Sequence, residues 1–168
     1  MKKQIAKKFR REDGQSMVEF ALILPIFLLI LCGIIDFGEN RPQELRDKQA
    51  KITEPLRWHM IGSLQTNKLK YVVGKTVLIH SVDSLALALA IEKESEKRNV
   101  VSEVLLEINI AGEESKHGIT PEELEPLVLE LSGLSHLKIR GLMTVAPYTE
   151  NPEENRCYFR KMKQLMVD

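Results

Sequence analysis

From Gly38 onward, short apolar strands alternate with helices, and that alternation limits the fold more than any other feature of the chain. Leu56–Ile61, Thr76–His80, Val104–Ile110 and Lys138–Thr144 read as strands. Arg41–Thr53 reads as a surface helix with Leu45 and Ile52 as sparse apolar points. Asn67–Val73 reads as a short helix that Gly74 ends. Ser84–Arg98 is a strong helix with Leu85, Ala88 and Leu89 on its apolar face. Thr120 caps a helix running to about Ser132; Pro121 takes its first turn and Glu123 reaches back. Asn151-Pro152-Glu153-Glu154 repeats that start for a last helix carrying Tyr158, Phe159, Met162, Leu165 and Met166.

Val104–Ile110 is apolar nearly throughout, as in a parallel strand covered on both faces. The body is therefore an array of βα units, either a (β/α)8 barrel or an open doubly wound sheet. No Gly-x-Gly-x-x-Gly or Walker-type loop follows a strand, which argues against a dinucleotide or nucleoside triphosphate site. Lys+Arg and Asp+Glu both total 24, and a net charge of zero argues against a general nucleic-acid binder. Cys32 and Cys157 have no second ligand at metal spacing and read as unpaired thiols in packed or lipid-facing positions.

The first 37 residues obey a different rule. Lys2, Lys3, Lys7, Lys8, Arg10 and Arg11 precede an apolar run, Met17–Phe37, of the length that crosses a bilayer as a helix. The basic end is expected to stay cytoplasmic. Glu19 is costly inside such a run and so points to a function. Gly14-Gln15-Ser16-Met17-Val18-Glu19 places that carboxylate five residues after a glycine, and this resembles the type IV prepilin processing site. With Leu24-Pro25 and Gly33-Ile34-Ile35-Asp36-Phe37-Gly38, the leader resembles the N-terminus of TadE-like pilus-assembly proteins. The resemblance implies cleavage after Gly14 and a pairing role for Glu19. The domain boundary is expected at 37/38.

In (β/α) folds the working residues sit at the C-terminal ends of strands. Asn40, His59, Ser81, Asn109 and Met143-Thr144 occupy those ends. Each also has a structural explanation. His59 could be a hydrogen-bonded core residue, Ser81-Val82-Asp83 could cap the next helix, and Asn109 could satisfy a loop backbone.

The motifs around these residues form a series. It runs Phe37-Gly38-Glu39-Asn40, Trp58-His59-Met60-Ile61-Gly62, His80-Ser81-Val82-Asp83-Ser84, Glu107-Ile108-Asn109-Ile110, Glu114-Ser115-Lys116-His117-Gly118 and Arg140-Gly141-Leu142-Met143-Thr144. In this order they resemble the YggS/PROSC family of pyridoxal phosphate homeostasis proteins. The resemblance implies an alanine-racemase-like barrel that carries pyridoxal 5′-phosphate without catalytic turnover. It also implies that Asn40, His59, Ser81, Asn109 and Met143 line the cofactor pocket, and it places the body in the cytoplasm.

The family's cofactor lysine lies in a Ser-Lys motif upstream of the Phe-Gly-Glu-Asn segment, where this chain carries the leader. Its phosphate-binding strands are expected to follow position 168. The expectation is thus an incomplete (β/α)8 TIM-type barrel behind an N-terminal transmembrane helix. Cofactor binding would be impaired, and open sheet edges would favour self-association. The competing readings are a TadE-like membrane protein with a chimeric tail and a joined reading frame without function. They put the chain in the membrane or leave it without a role.

Overall fold

Among the described residues the strand signals resolve into five strands in one sheet, ordered β1-β2-β3-β4-β5. They are β1 (Asp36–Glu39), β2 (Arg57–Met60), β3 (Leu78–Val82), β4 (Ser102–Glu107) and β5 (Leu137–Met143). Pairing from β2 through β5 is parallel. Among the described residues four α-helices accompany them: α1 (Pro42–Lys51), α2 (Leu85–Arg98), α3 (Pro121–Leu131) and α4 (Arg156–Val167). This computed structural model describes Gly33, residues 35–113 and residues 115–167. The chain divides into two units, Met1–Asp36 and Phe37–Asp168.

Strand order follows chain order without reversal, as in an arc of a barrel. A doubly wound sheet reverses at a switch point. The two architectures left open by the sequence are separated by this order. Among the described residues the sheet is an open arc, with β1 and β5 at its ends.

Side chains alternate along each strand. Trp58, Met60, Ile79, Val104 and Leu106 are buried in one continuous core. Ser102 on β4 meets Ser95 on α2 at 2.8 Å, which puts the helices on that same face. Arg57, His59, Leu78, His80, Glu103 and Leu105 therefore take the opposite face. Register supports this assignment, because Met60 pairs with Ile79 and Ile79 with Val104.

Local chemistry sets the helix ends. Glu123 accepts from the Thr120 N–H at 2.8 Å and from its hydroxyl at 3.0 Å, the reciprocal part of a capping box. Ser84 accepts from the Leu87 N–H at 3.4 Å to open α2. Asn99 closes it in the left-handed region at φ 53°.

Several expectations need correction. The buried face of α2 is Leu87, Ala88, Ile91 and Ser95, while Leu89 is exposed. Alternating Leu and Ala made two faces look alike, and packing against β4 chose between them. The segment after Gln65 is a 3-10 turn, Thr66–Tyr71, rather than an α-helix to Val73. β3 starts later than expected because the Val77 N–H bonds to the Trp58 carbonyl at 2.8 Å and fixes the register. Cys157 is exposed rather than packed. The prepilin-like site at Gly14 and Glu19 and most of the apolar run lie outside the described residues. Among the described residues no helix is long and apolar enough to cross a membrane.

Candidate functional site

The residues expected at the strand ends gather into two groups on the C-terminal rim of the sheet. Asn40, Gly62 and Ser81 form the first. The Ser81 hydroxyl is buried and donates to the Gly62 carbonyl at 2.5 Å. Gly62 in turn lies against the Asn40 backbone. Asn40 is exposed, and its N–H donates to the Glu39 carboxylate at 2.9 Å. Ser81 thus spends its proton on the rim backbone and shapes the wall.

Asn109 and Met143 form the second group. The Asn109 side-chain amide donates to the Glu113 carbonyl at 2.9 Å, and its oxygen accepts from the Glu113 N–H at 3.2 Å. This is the loop-closing role left open by the sequence. Gly118 completes the loop at φ +115°, where a methyl group would lie 2.6 Å from the Asn109 nitrogen. Met143 ends β5, and its carbonyl accepts from the Ile108 N–H at 2.8 Å. Lys116 ties the two loops together: its ammonium reaches the carbonyls of Val145 and Ala146 at 3.3 and 3.2 Å and pairs with Glu113 at 2.8 Å.

His59 makes the contact least evident from the sequence. Its Nδ1 lies 2.9 Å from Nε2 of His80 on the neighbouring strand, and both rings are half-buried. Burial, and then the adjacent imidazole, push His80 below the usual histidine range. His80 stood inside a quoted motif, but only strand register brings it to His59. Glu107, at the end of β4, is likewise recognisable only from the structure. It is buried, and burial together with the Asp83 carboxylate raises its pKa, against a smaller opposing effect of His117. Asp83 and His117 approach to 3.7 Å.

Among the described residues no cluster of three or more His, Cys, Asp or Glu side chains could hold a metal ion. Cavities of about 720 and 520 Å³ lie away from this rim. The first is between the 3-10 turn and α2, near Lys70 and Lys97, and the second is between α3 and α4, near Leu129 and Met166.

The family model for the alanine racemase N-terminal domain matches residues 23–168. The chain belongs to the alanine racemase N-terminal domain family. The match reaches back into the apolar run assigned to the leader. Within this family the chain is 50% identical over 135 residues to the pyridoxal phosphate homeostasis protein of Aquifex aeolicus. That alignment covers 80% of this chain and 59% of the relative. It is 43% identical over 137 residues to the Helicobacter pylori protein of the same name, covering 80% of this chain and 62% of that one. The chain thus spans about three-fifths of the length of these curated relatives.

Among solved structures it matches PipY of Synechococcus elongatus with pyridoxal phosphate bound. The TM-score is 0.77 at 32% identity, over 86% of this chain and 68% of that one. An alanine racemase of Clostridium difficile matches with a TM-score of 0.69 at 19% identity, over 84% of this chain and 38% of that one, and shares the fold.

Proposed function

We propose that this chain is a pyridoxal 5′-phosphate-binding protein with a homeostatic rather than a catalytic role. Its site is the C-terminal rim of the sheet, with Asn40, His59, Ser81, Asn109 and Met143 as walls. The main support is the 50% identity to a pyridoxal phosphate homeostasis protein across nearly the whole body.

The residues fit the cofactor as a wall. His80 offers a ring nitrogen for hydrogen bonding, and Met143 offers a polarisable thioether. Ser81 and Asn109 act indirectly by fixing the Gly62 carbonyl and the loop after β4. When bound, the cofactor supplies an aldehyde and a phosphate dianion.

Residues 12–47 hold no lysine, so this stretch offers no amine for covalent attachment on β1. Lys116 is occupied by the clasp between the β4 and β5 loops. Without a tether, a few neutral hydrogen bonds at about 1 kcal/mol each give an affinity near the millimolar range, about −4 kcal/mol. The test is a titration of the purified chain with pyridoxal 5′-phosphate, then borohydride reduction and mass measurement. The expected result is weak, saturable binding with no stoichiometric adduct. Failure to bind overturns the cofactor reading, and a stoichiometric lysine adduct overturns the noncovalent one.

A second reading concerns residues 1–37, which we take as a TadE-like leader spanning the membrane through residues 17–37. The Gly14 to Glu19 spacing supports it. A mature N-terminus at Gln15 is expected when the chain is co-expressed with a prepilin peptidase, and an uncut chain found outside the membrane overturns it.

A further inference from the structure

Glu107 ends β4 at the middle of the rim, and the ladder pairs it with Met143 on β5. On its other side Val82 pairs with Leu106, so Asp83 and Glu107 follow next to each other. Val82 and Leu106 are in the core. Asp83 and Glu107, one residue on, therefore point to the face opposite the helices. Asp83, Glu107 and Met143 form a row across three strands, and Met143 is one of the walls of the site proposed above.

The backbone here is fully employed. The Glu107 carbonyl accepts from the Ile119 N–H at 2.9 Å, and the Met143 carbonyl accepts from the Ile108 N–H at 2.8 Å. The Glu107 side chain differs. The residue is only 8% exposed, yet among the described residues no group donates to its carboxyl oxygens. Buried polar groups normally have a partner, and leaving one without costs stability.

The donors around it are turned elsewhere. The Ser84 hydroxyl donates to Asp83 at 3.0 Å and the Thr144 hydroxyl to the Ile108 carbonyl at 2.7 Å. The Asn109 amide donates to the Glu113 carbonyl at 2.9 Å. The Lys116 ammonium is held by Glu113 and by the carbonyls of Val145 and Ala146. His117 approaches Asp83 rather than Glu107. A donor for Glu107 must therefore come from a ligand.

Two carboxyl groups side by side define the complement. They repel an anion and attract a cation, and only a cation with several N–H groups can bond to both. Among the described residues these groups are not part of a cluster that could hold a metal ion. A protonated primary amine asks for less, because it carries three donors on one compact head.

We propose that Glu107, with Asp83 beside it, recognises a small protonated primary amine at this rim. That the rim is a ligand site rests on the cofactor reading above; the choice of an amine rests on the two carboxyl groups alone. The thioether of Met143 gives the carbon end of the amine an apolar surface.

Methylammonium is the probe, and tetramethylammonium, equally charged but without N–H groups, is its control. Both are titrated into the full chain at equal ionic strength and roughly pH 8, where an alkylammonium is still protonated. The amide resonances of Ile108 and Ile119 report binding. Methylammonium should shift them saturably, with tetramethylammonium at least about tenfold weaker, the loss of one charge-assisted hydrogen bond. Glu107→Gln and Asp83→Asn should each weaken methylammonium by about the same factor. The comparison of the two cations needs no variant, so a folding defect in either variant leaves it intact. No saturable binding, equal affinity for the two cations, or full affinity in both variants overturns the proposal. If methylammonium binds as expected but pyridoxal 5′-phosphate does not, the amine site stands and the cofactor reading fails. If pyridoxal 5′-phosphate binds and methylammonium does not, the amine site fails and the cofactor reading stands.

Discussion

The backbone of Gly62 lies directly against that of Asn40: a methyl group at Gly62 would sit 2.3 Å from the Asn40 carbonyl oxygen and 2.8 Å from its α-carbon. The atoms in the way are backbone, so they yield little. The Ser81 hydroxyl holds the Gly62 carbonyl from the other side. Gly62→Ala is expected to destabilise the body by about 1–3 kcal/mol, the usual cost of overpacking. Urea unfolding checks this through a lower midpoint at unchanged slope. An unchanged midpoint would show that the rim moves apart freely.

Ser95 and Ser102 join α2 to β4 through a buried hydroxyl pair at 2.8 Å. Removing one hydroxyl strands the other in an apolar setting. Ser95→Ala and Ser102→Ala should each cost about 1–3 kcal/mol, and the double variant should cost less than their sum. A double-mutant cycle measures that coupling; strict additivity would mean the hydroxyls do not depend on each other.

Glu39 is buried and paired with Lys48. Burial pushes its pKa up, but the Lys48 ammonium and the N–H groups of Asn40 and Arg41 outweigh it and hold the carboxyl below its usual range. A depressed carboxylate stabilises the fold above its unfolded-state value, about 4.3, and that contribution is lost as pH falls through the folded value. The stability gap between wild type and Glu39→Gln should be open at neutral pH and should close in acid. A gap that persists unchanged well below the glutamate range would contradict the pairing.

Glu107 has the opposite sign. Its raised pKa means that the neutral acid suits the folded state. That favourable contribution is complete below about pH 4.3 and disappears as pH rises through the folded value. Glu107→Gln should therefore be more stable than wild type at neutral pH, with the difference vanishing in acid. Thermal unfolding at both pH values reads the result directly. A less stable variant at neutral pH would mean that the charged carboxylate has a favourable partner.

Much of the fold was legible in the sequence. The capping pattern Thr120-Pro121-Glu122-Glu123 placed α3 to within a residue at each end. The apolar run around Val104 gave β4 its parallel character. Where the sequence misled, the signal was degenerate. Leu85 and Leu89 in α2 fit an apolar stripe as well as Leu87 and Ile91 do, and only contact with the sheet distinguishes them. For the site, Asn109 and Ser81 were visible as polar residues at strand ends, but not that each spends its hydrogen bonds on nearby backbone.

The sequence by itself determined the βα alternation, the capped starts of α2 and α3 and the motif series that leads to the family, because these depend on near neighbours along the chain. Tertiary structure alone decided which strands are adjacent and in what register. Packing of strands and helix sets His59 against His80, Gly62 against Asn40 and Ser95 against Ser102, residues 21, 22 and 7 positions apart. A strand fixes which face a side chain takes, and only the pairing of strands fixes what it meets there.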